Sequence, residues 1–519
     1  MTSIDDSSDL RPASASHHNS VCSVTGYKSK VLISKSYEHL KCLGISLPNF
    51  SSPKRHPLKT LRNPTLPTTI LTIYNSTMTK EYQHRNPGIQ WDEVSCALAA
   101  FTSYHDMTTK HFLEPRNALL DILKKEDPKA AELMRPFWDQ KETSLKKALL
   151  SNDQLAQAIV SFSQTFFLSY NLDTDYKTYP IPSSAPSPTD HAVVRSTIRQ
   201  FWRDWSCEGK TERSACHAPV REDLESHYQD NREQVRILIP GAGLTRLGYD
   251  LAVAGFSVDA IDVSYIQLLA TNFVLSQKDG KQETSRPDPN LTGEVENGDP
   301  DGFTLYPFAT QFSSHLQLSD QFAHVKVPDL GPASFLGPPH LDLEADTLTF
   351  SAKGLSLSAK DFTKDLNTAQ TAGTYDTVAT VFFIDTAKNF FDYARTVHHV
   401  LKDGGLWINV GPLLWNCYEL GPGGRREGDV DTDEDNRSRV ESATGGKKGG
   451  LDSDVGGDWD PKIELSNEEV LALLVGMGFE VTKQEILKEE AGYIQDPESM
   501  LQAKYRLAHW VARKLPKED

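Results

Sequence analysis

Three acidic residues follow short strand-like runs, at positions where their carboxylates could bind a small polar ligand. Asp262 and Asp385 each end an apolar run, and Asp361 comes shortly after the alternating residues 355–359. In an open parallel sheet the carboxyl ends of the strands line the ligand crevice. We therefore expect the three carboxylates to meet at one edge of a sheet, where they can accept hydrogen bonds from hydroxyl, amino or ring N–H groups.

Two glycines upstream of Asp262 form a pattern typical of nucleotide binding. Residues 236–243 read Arg-Ile-Leu-Ile-Pro-Gly-Ala-Gly, which predicts a strand and a tight turn at Gly241, with Gly243 allowing a ligand close to the backbone. Asp262 lies about 20 residues beyond the first glycine, where a carboxylate can accept both hydroxyls of a ribose. The alternative is an ordinary strand, turn and helix, but the apolar strand before the turn and the acid after it favour the nucleotide site.

Two sequence patterns that are absent limit which nucleotide can bind. Arg246 occupies the position of the third glycine of a dinucleotide fingerprint, which disfavours NAD, FAD and hence a nicotinamide oxidoreductase. The P-loop pattern that cradles phosphates does not occur in the sequence. A nucleoside ligand without a pyrophosphate remains, and the predicted cofactor is S-adenosylmethionine.

Composition limits the partners of the chain. The net charge of −17 argues against a nucleic-acid partner, because affinity for phosphates comes from Lys and Arg. The six cysteines contain no Cys-x-x-Cys pair, which favours a reducing compartment over a disulfide framework or a structural zinc site. The sequence contains no apolar run of about 18 residues, the length that a membrane-spanning helix requires. We expect a cytoplasmic protein, with the nucleus as a further location.

The chain divides into three parts. Residues 1–88 are rich in Ser, Thr and Pro, and we expect a mostly disordered tail. Helical spacing begins near Trp91 and predicts a helical region with a Pro-rich linker over 89–188, which could pack on the rest of the chain or form a homodimer. Residues 189–519 are predicted to form the cofactor-binding α/β domain, with polar insertions near 276–302 and 421–460.

A predicted helix over 191–205 offers two further ligand contacts. Gln200 and Arg203 are three residues apart and share one helical face. Together they could direct an amide and a guanidinium at a ligand carboxylate. The alternative for Arg203 is a surface ion pair with the adjacent Asp204.

The third and fourth predicted strands also end in residues suited to binding. Asp361-Phe362 could hold an adenine by its amino group and its face, or the acid could instead cap a helix. Residues 375–385 are predicted as a buried strand that ends on Asp385, which either points at the ligand or caps the next helix. A turn at 402–405 and a fifth strand at 406–414 follow.

Four segments in this order resemble the carnosine N-methyltransferase family: 195–206, 239–244, 382–387 and 407–414. The resemblance covers about 190 to 515. It implies a class I methyltransferase fold, which is a Rossmann-like α/β sheet with helices on both faces and a closing antiparallel pair. It also implies S-adenosylmethionine as cofactor and a small peptide, carnosine (β-alanyl-histidine), as substrate, methylated on an imidazole nitrogen to give anserine.

The resemblance also assigns roles to individual residues. On the cofactor side these are Gln200, Arg203, Gly241, Asp262, Asp361, Phe362 and Val381, the last in place of a family cysteine. On the substrate side they are Asp385, Asn416, Tyr493 and Tyr505. We expect Asp385 to have the catalytic role, through a hydrogen bond to the substrate imidazole.

Two positions depart from the family pattern. Asn416 stands where the family has a substrate-contacting histidine, and it cannot carry charge or shuttle a proton. Lys360 stands where the family favours glycine. Methylation of another histidine peptide, a protein histidine or a small molecule is therefore an alternative, and a catalytically inactive scaffold is another.

Overall fold

The computed structural model describes residues 89–170, 185–278, 302–387, 389–415 and 463–516. The expected tail over 1–88, most of the insertion near 276–302 and the insertion at 421–460 lie outside the described residues. Asn416 lies outside them as well.

Eleven strands occur within the described ranges. They are β1 Arg236–Pro240, β2 Ser257–Asp262, β3 Phe303–Leu305, β4 Val325–Val327, β5 His340–Leu341, β6 Thr349–Ala352, β7 Leu355–Ala359, β8 Tyr375–Val381, β9 Leu401–Gly411, β10 Phe479–Ala491 and β11 Tyr505–Lys514. Nine of them form one sheet in the order β10-β11-β9-β8-β1-β2-β7-β6-β5, and β3 and β4 form a separate antiparallel ribbon.

The centre of the sheet is parallel and its edges are antiparallel. Strands β7, β2, β1, β8 and β9 run in one direction. The pair β10-β11 closes one edge and β5-β6 the other. Because β1 pairs with β2 on one side and with β8 on the other, the strand order reverses there, and a ligand crevice is expected at the carboxyl ends of these strands.

Twelve α-helices are present in the same parts of the chain. They are α1 Trp91–Thr102, α2 Tyr104–Phe112, α3 Glu114–Glu126, α4 Pro128–Tyr170, α5 Pro188–Trp205, α6 Lys210–His227, α7 Arg246–Val253, α8 Tyr265–Leu275, α9 Leu318–Gln321, α10 Ala333–Leu336, α11 Phe390–Val400 and α12 Asn467–Gly476. Helices α1 to α4 agree with the predicted helical region. Within the described ranges, none of the helices combines the length and apolarity that a membrane crossing requires.

Helices cover both faces of the sheet. Along β1, Ile237 and Ile239 pack in one hydrophobic cluster and Leu238 in another, because successive side chains of a strand point to opposite faces. The first cluster includes residues of α5, α6 and α8, and the second includes residues of α11 and α12. The predicted Rossmann-like sheet is confirmed.

Several predicted boundaries are wrong. Strand β8 ends at Val381 rather than Asp385, because Phe382 adopts a φ of 50° and Ile384–Thr386 form a 3-10 turn. Residues 402–405 belong to β9, as an irregularity in its pairing with β8 rather than a turn between elements. Ser187 and Pro188 begin α5, where Ser187 accepts a hydrogen bond from the Asp190 amide. No element is predicted between 303 and 352, yet four short strands and two short helices lie there.

Candidate functional site

A cavity of about 290 Å³ opens at the carboxyl ends of β1, β2 and β8. The residues predicted from the sequence that line it are Gln200, Arg203, Gly241, Gly243, Asp262, Val381 and Tyr493. The remaining predicted residues that the structure describes, Asp361, Phe362, Asp385 and Tyr505, lie outside its wall.

The turn between β1 and α7 forms the floor of the cavity. Gly241 and Gly243 have φ values of 60° and 54°, in the left-handed region that favours glycine. A Cβ atom on Gly241 would lie 2.6 Å from Cδ2 of Phe383. The Gly243 N–H donates to Asp262 Oδ2 at 3.1 Å, and its carbonyl accepts from Thr271 Oγ1 at 3.0 Å. The predicted tight turn is present, and its backbone is fixed on both sides of Gly243.

Asp262 is held by backbone amides at the end of β2. Its Oδ1 accepts from the Ser264 N–H at 2.9 Å, and its Oδ2 accepts from Gly243. Burial raises the pKa of Asp262, although these amide hydrogen bonds act to lower it. A carboxylate oriented in this way, in the cavity wall beside the glycine turn, is suited to ribose hydroxyls.

Helix α5 places Gln200 and Arg203 in the opposite wall. The Arg203 guanidinium makes two hydrogen bonds with Asp204, at 2.7 and 3.0 Å, so the ion pair weighed against ligand binding does form. The pair is largely buried and both residues line the cavity. Burial acts to lower the pKa of Arg203, but Asp204 outweighs it and the pKa is raised. A permanently charged guanidinium therefore stands where a ligand carboxylate can meet it.

Arg246, in the place of the third glycine, is the centre of a buried charge network. Its Nη1 lies 2.8 Å from Asp329 Oδ1 and its Nε lies 3.0 Å from Asp250 Oδ1. Nη1 also donates to the Asp204 carbonyl at 2.8 Å, and Arg213 Nη2 donates to Asp329 Oδ2 at 2.8 Å. The network joins α5, α6 and α7 in the wall of the cavity. A paired cation therefore occupies the position where a dinucleotide fingerprint has its third glycine.

Asp385 follows the kink at Phe382 and does not itself line the cavity. It is 7% exposed and its Oδ2 accepts from the Leu414 N–H at 2.9 Å. It does not cap the next helix, because Asn389 accepts from the Phe391 N–H at that position. The adjacent Thr386 lines the cavity.

Asp361 is engaged in its own turn. Its Oδ1 accepts from the Thr363 amide and hydroxyl at 3.0 and 2.9 Å and from the Lys364 amide at 3.1 Å. These contacts close a turn, and the expected alternative of a helix cap is wrong, because the next element after β7 is the strand β8. Phe362 is buried against Phe383, with ring centroids 5.3 Å apart. Contact of this pair with adenine stays a prediction.

Aromatic rings form the side of the cavity next to β8. The ring of Phe382 lies 5.9 Å from that of Tyr493 and 6.1 Å from that of Tyr505. Phe382 and Tyr493 line the cavity, and Tyr505 packs on Phe382 without lining it. Tyr493 is 48% exposed and leaves this side accessible. Both tyrosines thus belong to one aromatic cluster, as a shared role would require.

Some residues of the cavity wall were missed in the sequence. They include Arg213, Cys216, His217, Gln267, Phe382 and Thr386. Burial lowers the pKa of His217 to about 3, so its imidazole is neutral at physiological pH. Arg213, Cys216 and His217 share one face of α6 through three- and four-residue spacing, and that face is the signal that could have found them.

The strand order defines the class of protein. A glycine turn after β1, a carboxylate after β2 and an antiparallel β11 between β9 and β10 give the class I fold of S-adenosylmethionine-dependent methyltransferases.

Comparison with known proteins identifies the family. The family model for carnosine N-methyltransferase matches residues 182–287 and 296–516. The carnosine N-methyltransferase of Schizosaccharomyces pombe is 32% identical over 323 residues, which cover 62% of this chain and 70% of that protein. That of Rattus norvegicus is 33% identical over 279 residues, covering 53% and 60%. The chain belongs to the carnosine N-methyltransferase family, and it is a methyltransferase with S-adenosylmethionine as cofactor.

The residues of the cavity fit this cofactor. The glycine turn gives close access to backbone, Asp262 is oriented for a ribose, and the Arg203 guanidinium suits a carboxylate.

We predict that Gly241→Ala lowers the affinity for S-adenosylhomocysteine by roughly tenfold or more. The new Cβ would lie 2.6 Å from Phe383 Cδ2, so the turn must shift away from the conformation that lets a ligand approach its backbone. Isothermal titration calorimetry would measure the change. Gly373→Ala is the matched control, because Gly373 has a φ of 57° with nothing within 4 Å of the added Cβ. Equal affinities in the wild type and Gly241→Ala would contradict this role of the turn.

We also predict that Asp329→Asn lowers the free energy of unfolding by about 3–5 kcal/mol, because it leaves the buried guanidiniums of Arg213 and Arg246 with one fewer countercharge. Denaturant unfolding would measure this. Asp392→Asn, in the exposed pair with Arg395, is expected to change it by less than about 1 kcal/mol. A similar loss in both variants would show that the network has no special role.

Proposed function

We propose that this chain transfers the methyl group of S-adenosylmethionine to an imidazole nitrogen of carnosine, giving anserine. Family membership supports the reaction. The observation that supports it most in the structure is that two sets of residues meet around one cavity. The glycine turn and Asp262 suit the cofactor on one side, and the Phe382 aromatic cluster with the nearby Asp385 suits a flat acceptor on the other.

The acceptor needs little activation. An imidazole has a pKa of about 6.5, so most of it is neutral at pH 7 and a strong base is not needed to create the nucleophile. Bound S-adenosylmethionine supplies the electrophilic methyl group. The main task of the protein is then to hold the acceptor ring in place. Fixing the two reactants in the reactive orientation can lower the activation barrier by roughly 7–11 kcal/mol.

Asp385 is proposed to orient the imidazole. Its carboxylate is buried and fixed by the Leu414 amide. Accepting a hydrogen bond from the second ring nitrogen would select the tautomer whose free nitrogen faces the methyl group. The same carboxylate would stabilise the imidazolium as positive charge develops.

The aromatic cluster is proposed to hold the ring face. The ring centroid of Phe382 lies 5.9 Å from that of Tyr493 and 6.1 Å from that of Tyr505. Aromatic rings favour offset or edge-to-face contacts with a flat partner. Tyr493 is also close to Arg203, whose Cζ lies 5.6 Å from the centroid of its ring. The acceptor side is therefore next to the cofactor side.

Another imidazole compound is the alternative acceptor. Asn416 replaces the family histidine, and the exposed Tyr493 leaves the aromatic side of the cavity open to a longer peptide. Incubation with methyl-labelled S-adenosylmethionine and a panel of carnosine, free histidine, longer histidine peptides and histidine-containing proteins would decide. We expect carnosine to gain one methyl group, and labelling of another compound alone would replace carnosine as the substrate.

We predict that Asp385→Asn lowers kcat/KM for carnosine by roughly a hundredfold or more, because the amide cannot stabilise the imidazolium. Its affinity for S-adenosylhomocysteine should stay within about twofold, since Asp385 lies outside the cofactor side of the cavity. Steady-state kinetics and calorimetry measure the two quantities. Asp376→Asn, near the start of β8 and away from the end of that strand that meets the cavity, is the matched control. Wild-type turnover in Asp385→Asn would reject the assignment.

We further propose that the chain forms a homodimer through the hairpin of α3 and α4. Five large apolar side chains are exposed on either side of the turn between these helices, and exposed apolar patches on a protein mark interaction sites. They are Leu119, Ile122, Leu133, Met134 and Phe137. The buried side of α4 already packs on the rest of the molecule, so a second copy would cover the free side.

We predict that Phe137→Glu converts a dimer to a monomer in size-exclusion chromatography with light scattering, because Phe137 is 68% exposed in this patch and a charge there would be buried without a partner. Leu316→Glu, at a position 73% exposed elsewhere on the surface, is the control and should stay dimeric. A monomeric wild type would contradict the proposal.

A cytoplasmic location, with the nucleus as a further one, is also proposed. The cysteines within the described residues, Cys96, Cys207 and Cys216, are free thiols, which supports a reducing compartment. Microscopy of the tagged chain would test it.

A further inference from the structure

Tyr493 lies in a loop rather than in a strand. Strand β10 ends at Ala491 and β11 begins at Tyr505, and the loop between them places Gly492 and Tyr493 in the cavity wall. Tyr505 is held by strand pairing, because it lies opposite Ala491 in the β10-β11 ladder. Tyr493 lies beyond that ladder and is 48% exposed, so its position depends on what fixes the neighbouring backbone.

The next residue, Ile494, has a strained backbone. Its φ is 57°, and a left-handed φ is a genuine outlier for a β-branched residue. Such a conformation persists only where the surrounding structure imposes it, and strain of this kind is concentrated at functional sites. The side chain of Ile494 is fully buried, in the same hydrophobic cluster as Leu507 of β11. Apolar packing therefore holds the side chain, and the backbone requires its own partner.

Glu212, in the first turn of α6, is that partner. Its Oε1 accepts from the Ile494 N–H at 2.6 Å, and its Oε2 accepts from the Gln495 N–H at 2.9 Å. A Cβ atom on Gly492 would lie 3.0 Å from Glu212 Oε2, so the glycine lets the loop approach the carboxylate closely. One carboxylate thus holds the two successive amides that follow Tyr493.

The far part of the loop has different anchors. The Met500 N–H donates to the Ser314 carbonyl at 2.6 Å, and the Gln495 Oε1 accepts from the Ala503 N–H at 3.1 Å. Losing the Glu212 carboxylate should therefore loosen the cavity end of the loop without unfolding the rest.

We propose that Glu212 is a positioning residue for the acceptor, because it holds the ring of Tyr493 in the cavity wall through the two amides that follow it. Glu212 does not line the cavity, so it acts through Tyr493 and not on the substrate. The Tyr493 ring is thereby kept between Phe382, at 5.9 Å, and the Arg203 guanidinium, at 5.6 Å. The inference rests on the proposed function, in which Tyr493 belongs to the acceptor side, and holds for whichever imidazole compound is methylated.

Glu212→Gln tests the role on the full chain. The amide oxygen can accept from one of the two N–H groups while the NH₂ group faces the other, so the loop loses a hydrogen bond to a charged group. A loop that occupies its binding position only part of the time lowers the apparent affinity for the acceptor by that fraction. We expect KM for the acceptor to rise roughly tenfold, with kcat within about threefold and the affinity for S-adenosylhomocysteine within about twofold of the wild type.

Glu225→Gln is the matched control. Glu225 lies on the same helix, where its Oε1 accepts from Arg221 Nε at 2.8 Å, and it does not line the cavity. Its KM and kcat should equal those of the wild type. An unchanged KM in Glu212→Gln, or an equal rise in both variants, overturns the proposal.

A double-mutant cycle tests the route through Tyr493. Tyr493→Ala removes the ring, so adding Glu212→Gln to it should change kcat/KM by less than about twofold, because no ring is left to position. Additive effects of the two substitutions would reject this route. Glu212→Asp keeps the charge but is one methylene group shorter, and it takes the place of Glu212→Gln with the same expectations if that variant does not fold.

Hydrogen exchange measured by mass spectrometry separates this inference from the proposed function. Faster exchange at the amides of Ile494 and Gln495 in Glu212→Gln, with unchanged exchange in β11, is the expected result and does not depend on which compound is methylated. Equal exchange in the variant and the wild type overturns the proposal. A wild type that methylates no imidazole compound overturns the proposed function, and faster exchange would then show that Glu212 has a structural role only.

Discussion

The left-handed turn between β1 and α7 is the constraint on which the site depends. Gly241 and Gly243 both take a φ that costs other residues about 1–2 kcal/mol each. The turn is pinned to β2, because the Ala242 N–H donates to the Ile261 carbonyl at 3.0 Å. Asp262 and Thr271 then fix the two sides of Gly243. The result is a stretch of bare backbone at the edge of the sheet that a nucleoside can approach closely.

Charge pairing determines the electrostatics of the cavity. The chain has a net charge of −17, yet Arg203, Arg213 and Arg246 all line the cavity. A buried guanidinium is costly unless it is paired, and Asp204 and Asp329 supply partners for them. The wall therefore offers donors and acceptors side by side with little net charge. Such a surface matches the amino-acid end of S-adenosylmethionine, which itself combines a carboxylate and an ammonium group.

The parts of the fold that were predicted from the sequence depend on local patterns. The glycine spacing and the apolar run before it determine the β1 turn, and the carboxylate of Asp262 follows from the end of the next strand. Strand β8 shows where local patterns fail. Its apolar run continues through Ile384, but the left-handed φ of Phe382 ends the strand at Val381, and Phe383 turns to stack on Tyr393 at 4.8 Å. That end is set by tertiary packing.

Contacts between distant segments could not be predicted at all. Arg246 and Asp329 are 83 residues apart, and Asp329 lies in a region of short strands whose pattern predicts no element. From the sequence, Arg246 therefore indicated only that the third glycine of a dinucleotide fingerprint is absent, and not that it belongs to a charge network. Gln267 was missed for a related reason, because its place in the cavity wall depends on a hydrogen bond to Gln200, 67 residues away, and not on its spacing in α8.

Helix α6 connects the two sides of the cavity. Arg213 joins the charge network on the cofactor side through Asp329. The preceding residue, Glu212, accepts from the amides of Ile494 and Gln495 at 2.6 and 2.9 Å, and so holds the loop that carries Tyr493. Burial raises the pKa of Glu212, although these amides act to lower it. Because two adjacent residues of one helix anchor opposite sides, α6 fixes the spacing between the charge network and the loop that carries Tyr493.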